Sequence, residues 1–106
     1  MSEKNNHLPI PHPGETLLED FMKPLRLSAS RVAKGLGVHP LTVSLLVRGR
    51  RSVTPELALR LSRYTGTTPE FWLGLQEDFE LRHAERRHSR RIAREVQMCP
   101  LLEAAA

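Results

Sequence analysis

Apolar residues in this chain recur at intervals of three and four, and nowhere in a sustained alternation of two. That periodicity predicts helices and no substantial sheet. Leu18, Phe21, Met22 and Leu25 make one inward stripe, placing a first helix at about 14–23 with Glu15 at its positive end and Pro24 ending or kinking it. Val32, Ala33 and Leu36 make the inner face of a second, about 29–36, with Ser28 as its N-cap. The next three helices share a start device, a proline at the first helical position: His39-Pro40, Thr54-Pro55 and Thr68-Pro69. The third runs to about Val47 and is closed by Gly49. The fourth runs to about Thr65, with Leu57, Ala58, Leu61 and Tyr64 inward and Gly66 beyond. The fifth carries Phe71, Trp72, Leu75 and Phe79 and runs on through the charged stretch Glu80–Glu95. Val53 plugs the core between helices. Residues 1–13, with three prolines, read as a loose arm; Pro100 ends the ordered part and the tail to Ala106 frays.

Inside this all-α pattern, residues 29–48 have the register of a helix-turn-helix. Two helices crossing at ~90–120° need a small residue at the crossing, which Ala33 supplies. The turn needs a residue tolerant of positive φ, and Gly37 stands there. The second helix needs an aliphatic knob facing the first, and Val43 is in place. A third helix so mounted enters the major groove of DNA. Val43 and Leu46 point inward, leaving Leu41, Thr42, Ser44, Leu45 and Arg48 outward as the base-reading set. No Gln, Asn or Arg stands in its first turn to pair with adenine or guanine, so direct readout is thin. Leu41 and Leu45 suit thymine methyls, or a dimer or partner contact instead. Thr42 and Ser44 suit bases or phosphates, and DNA shape carries part of the specificity. Phosphate candidates are Ser28, Ser30, Arg31 and Lys34 at the second helix and Arg50 and Arg51 after the third. Plain surface charge is the competing reading for Arg31, Lys34, Arg50 and Arg51.

Composition narrows the picture. A chain of 106 residues makes one compact domain, with the five-helix unit over 14–79 and a basic helical extension over 80–106. Sixteen basic against twelve acidic residues give a net charge of +4, favouring a polyanionic partner. The excess is local: six arginines lie between Arg82 and Arg94. The run Arg86-Arg87-His88-Ser89-Arg90-Arg91 reads as a solvated helix face or as a nucleic-acid or acidic-protein contact, with Glu80, Glu85 and Glu95 partly neutralising it. Cys99 alone excludes an intrachain disulfide and fits a reducing compartment. No apolar leader or membrane-length run is present, which points to the cytoplasm. His83 and His88 lie five apart on a helix and His7 and His12 lie in the arm, so no metal site is expected. No nucleophile constellation, phosphate loop or carboxylate pair is recognisable; neither an enzyme nor a cofactor is expected.

Five stretches carry a closer likeness: His12-Pro13-Gly14-Glu15; Leu25-x-Leu27-Ser28-Ala29-Ser30; Gly49-Arg50-Arg51-Ser52-Val53-Thr54-Pro55; Ala58-Leu59-Arg60-Leu61; and Thr68-Pro69-Glu70-Phe71-Trp72-Leu73-x-Leu75-Gln76. In combination, over about residues 12–79, the chain resembles the HigA (VapI-like) antitoxins, which carry a lambda-repressor-like, XRE-type domain. The resemblance implies an all-α homodimer that binds a HigB-like, RelE-type mRNA-cleaving toxin. It also implies repression of the protein's own operon, hence association with the nucleoid; a two-fold dimer with its third helices ~34 Å apart then calls for a palindromic site. Trp72 and Phe79 are then candidates for dimer or toxin contact, or else core. Pro40, Leu41, Leu45 and Arg48 depart from the residues frequent in the family, which bears on the operator sequence and leaves the fold alone. A stand-alone repressor, and a protein-interaction module using the same helices, are the alternatives.

Overall fold

The structure is a computed structural model that describes residues 9–105; residues 1–8 of the expected arm lie outside the described residues. Among the described residues all regular structure is helical. Helix α1 covers residues 13–25 in three joined parts, Pro13–Thr16, a π-helical Leu17–Met22 and Lys23–Leu25. It is followed by α2 (Ala29–Leu36), α3 (Pro40–Val47), α4 (Pro55–Thr65), α5 (Pro69–Glu95) and a short α6 (Pro100–Ala105).

The starts follow from cap chemistry. Ser28, Thr54 and Thr68 each accept, through the side-chain oxygen, the backbone N–H three residues on, at 3.1, 3.2 and 3.1 Å. His39 does the same work through Nδ1, accepting from the Leu41 N–H at 3.0 Å. Gly37 and Gly66, at φ 73° and 74°, end α2 and α4 in the left-handed region that a residue without Cβ enters at least cost.

One core unites the helices. Leu17, Val32, Ala33, Val43, Leu46, Ala58, Leu61 and Trp72 are fully buried, with Met22, Leu36, Val53 and Leu57 nearly so. Trp72 anchors it: its Nε1 donates to Thr67 Oγ1 at 2.7 Å, and its ring packs against Phe21 and, edge-on, Phe71. Helix α5 rests on α4 and on the first turn of α1, then continues past the domain. At 1.5 Å per residue its 27 residues reach about 40 Å, which accounts for the 56 × 30 × 21 Å envelope.

Three expectations are corrected. Leu25, expected inside, is 65% exposed, and Leu17, unassigned by the periodicity, is buried. The cause is the π segment Leu17–Met22, after which the Lys23 N–H reaches back five residues to the Leu18 carbonyl. A wide turn sets every later residue back in phase, so a 3.6-residue reading misplaces Leu25. The arm is not loose to residue 13, because His12 and Pro13 are buried at the start of α1. Pro100 opens α6 where an end to order was expected.

Candidate nucleic-acid interface

The turn between α2 and α3 is fastened from inside the fold. The Val38 N–H bonds the Ala33 carbonyl at 3.0 Å and the Gly37 N–H bonds the Lys34 carbonyl at 3.2 Å, satisfying carbonyls left over at the end of α2. Arg60 of α4 donates through Nη1 to the Leu36 carbonyl at 2.9 Å and to the Gly37 carbonyl at 3.4 Å. Glu56 holds the same guanidinium through Nε and Nη2. Gly37 is favoured there by its φ of 73°, while a Cβ would stand 2.9 Å from Arg60 Nη1, the movable end of a long side chain. At the other end of α3, the Arg50 N–H bonds the Leu45 carbonyl at 2.8 Å and Gly49 turns the chain at φ 73°. The following loop is pinned where the Val53 N–H donates to Oε1 of buried Gln76, at 2.9 Å.

This scaffold presents one face of α3. Leu41 is exposed, Thr42, Ser44 and Leu45 are half-buried, and Arg48 is exposed. Arg48 folds back on its own helix, with Nε on the Ser44 carbonyl and Nη2 on Ser44 Oγ, both at 3.1 Å. Exposed Arg50 and Arg51 flank this face on one side. The first turn of α2, with Ser28, Ser30 and Arg31 exposed, brings helix-terminal N–H groups that favour anions. The arrangement can insert a helix into a groove and hold the phosphates beside it.

The helix-turn-helix family matches this chain over residues 18–72. Virulence-associated protein I of Dichelobacter nodosus is 44% identical over 80 residues, 76% of this chain and 74% of its own length. A solved Pseudomonas aeruginosa antitoxin HigA with higBA promoter superposes with a TM-score of 0.82 at 32% identity, over 85% of this chain and 98% of its own. The chain belongs to the HigA (VapI-like) helix-turn-helix family. Antitoxin HigA-1 of Vibrio cholerae is 38% identical over 68 residues, 64% of each chain. Antitoxin GraA in complex with its operator matches with a TM-score of 0.81 at 46% identity, over 87% of this chain and 93% of its own.

In this HigA-family chain the expected base-reading and phosphate residues divide by what already holds them. Ser28 Oγ accepts the Arg31 N–H and keeps its hydroxyl proton available to donate. Ser44 and Arg48 act as one hydrogen-bonded unit, where the sequence placed two independent contacts. Of the two readings open for Trp72, core and contact, the structure takes the core: it is fully buried and offers no surface to a second copy or a toxin. Phe79 is half-buried, with its ring against His12 and His83. Along the extension, Arg82 pairs with Asp78 at 3.1 Å and Arg91 with Glu95 at 3.7 Å, while Glu80 accepts from Gln76 Nε2 at 2.8 Å. Among the described residues no helix is long and apolar enough to cross a membrane.

Three positioning residues escaped the sequence reading: His12, Arg60 and Gln76. Gln76 carried a signal, since it stands four residues after Trp72 on the inward face, where a polar side chain needs a buried partner. Arg60 and His12 also have local partners, Glu56 and the Gly14 N–H, but the contacts that reach the turns flanking α3 are to a carbonyl and a ring distant in sequence.

Proposed function

We propose that this chain is the antitoxin of a toxin–antitoxin pair, acting both as the repressor of its own operon and as the neutralising partner of a HigB-like toxin. One observation carries the DNA half: α3 is fastened by hydrogen bonds at the turn before it and at its C-terminal end, with Leu41, Thr42, Ser44, Leu45 and Arg48 outward and Arg50 and Arg51 following them. Relatives of the same fold solved with promoter or operator DNA support that reading. Base contact falls to the apolar ends of Leu41 and Leu45, to Thr42 and to the Ser44–Arg48 unit. Phosphate contact falls to Ser28, Ser30, Arg31, Lys34, Arg50 and Arg51. A single domain presents one reading helix, so firm binding calls for a homodimer on a palindrome with half-sites ~34 Å apart. The protein then works on the nucleoid, in the cytoplasm. The toxin half rests on family membership and on the HigA name of its relatives.

Co-expression with the small reading frame beside the chain's own gene tests both halves. The expected result is a neighbour toxic alone, rescued growth and a co-purifying complex that retards promoter DNA. A neighbour that neither binds nor harms growth, with promoter retardation intact, reduces the function to repression. Failure to retard any duplex refutes the DNA reading.

A further inference from the structure

The turn that leads into α1 touches the end of the recognition helix and α5 at once. His12 is buried at 8% exposure, and its Nδ1 accepts the Gly14 N–H at 2.9 Å, capping α1. Its ring lies over the Gly49 turn: a Cβ on Gly49 would stand 3.7 Å from it. Phe79 of α5 meets the imidazole edge-on, with ring centroids 4.8 Å apart and planes at 80°. Phe79 is itself backed by His83, at 4.5 Å. Two residues beyond His12, Gly14 lies so close to α3 that a Cβ would overlap the Leu46 carbonyl and stand 3.0 Å from Val47 Cα. Helix α3 packs chiefly on α2 and on this first turn of α1. The α2 side is clamped by Arg60; the far side is set by His12 and Gly14.

We infer that His12 is a positioning residue for DNA recognition: its ring, seated between Phe79 and the Gly49 turn, sets the tilt at which α3 meets the groove. The inference rests on the operator-binding reading above. Base-edge contacts are short and directional, and a reading helix tolerates an error of only about 0.5 Å or 10–20°. Phosphate contacts carry no sequence information directly, and the long side chains of Arg31, Lys34, Arg50 and Arg51 can follow a small shift of the helix. Loss of the ring therefore lowers discrimination between DNA sequences while leaving sequence-independent binding in place.

The test compares wild type, His12→Asn and Phe79→Leu on a duplex from the chain's own promoter and on its scrambled counterpart, with thermal melting alongside. Asparagine restores the N-cap acceptor but has no ring to seat on Gly49; leucine at 79 leaves the cap intact and removes the ring behind His12. Both variants are expected to hold the scrambled duplex as wild type does, with the same salt dependence. Preference for the promoter should fall about tenfold, the discrimination of a good base contact. A His12→Asn protein with full preference shows that the cap alone matters and overturns the inference, as does full preference in Phe79→Leu. A wild type that does not prefer its promoter refutes the operator reading itself, an outcome distinguishable from either variant result.

Discussion

Gln76→Leu isolates the bond that fastens the loop after the recognition helix. In the native fold the Gln76 side chain is 6% exposed and Val53 is 4% exposed. Oε1 accepts the Val53 N–H at 2.9 Å, and Nε2 donates to Glu80 Oε2 at 2.8 Å. Leucine fills nearly the same volume, so no cavity term enters, but it offers nothing to the Val53 N–H. A buried donor left without a partner costs about 1–3 kcal/mol. The leucine recovers part of that by burying more apolar surface, so the net loss comes to about 1–2 kcal/mol. For a domain of this size, 1 kcal/mol moves the midpoint by about 4–8 °C, which gives a fall of about 5–15 °C. Thermal denaturation followed by circular dichroism reads it directly. Gln76→Glu is the companion: it keeps the acceptor for Val53 but turns the Glu80 contact into two facing carboxylates. Its deficit should therefore shrink as pH falls and one of them takes a proton. A leucine variant melting within about 2 °C of wild type refutes the assignment, because the Val53 N–H would then need no partner.

Three further outcomes follow from the same geometry. Burial holds the His12 imidazole below its ordinary value of 6.5, against the opposing pull of Glu15. The unfolded chain then binds the proton more readily, so this stability is present above about pH 6.5 and is lost as pH falls through the folded value; a melting series should show an acid-side drop that His12→Asn lacks. Trp72→Ala removes the fully buried indole and its bond to Thr67, and should cost about 3–5 kcal/mol in urea unfolding, enough to unfold a marginal domain. Arg51→Ala should weaken all duplexes alike and shallow the log–log salt slope by about 0.9 for each phosphate no longer neutralised. Ser44→Ala, which removes the hydroxyl that Arg48 Nη2 bonds while leaving the bond to the Ser44 carbonyl, should instead change which bases are preferred; the reverse pattern in a binding titration would refute the division of roles.

The caps at Ser28, Thr54 and Thr68 and the turns at Gly37 and Gly66 lie where cap and turn chemistry placed them. Each depends on a hydrogen bond or a φ angle within three residues, which a short stretch of sequence can specify. Leu25 failed because a π turn, a departure from the regular period, shifted its phase. Trp72 stayed undecided between core and contact because an aromatic on a helix suits both, and only the packing of Phe21, Thr67 and Phe71 around it chooses.

An all-helical chain, the helix-turn-helix register and the residues on the outer face of α3 were all legible before any folding was considered, since period and capping are properties of neighbours along the chain. How that face is held was not. Arg60 on the Leu36 carbonyl, Gln76 on Val53, and His12 between Gly49 and Phe79 join groups 23 or more residues apart. Such pairings exist only once hydrophobic burial has brought the helices together, because a donor or ring cannot name a distant partner until the core has fixed the distance between them.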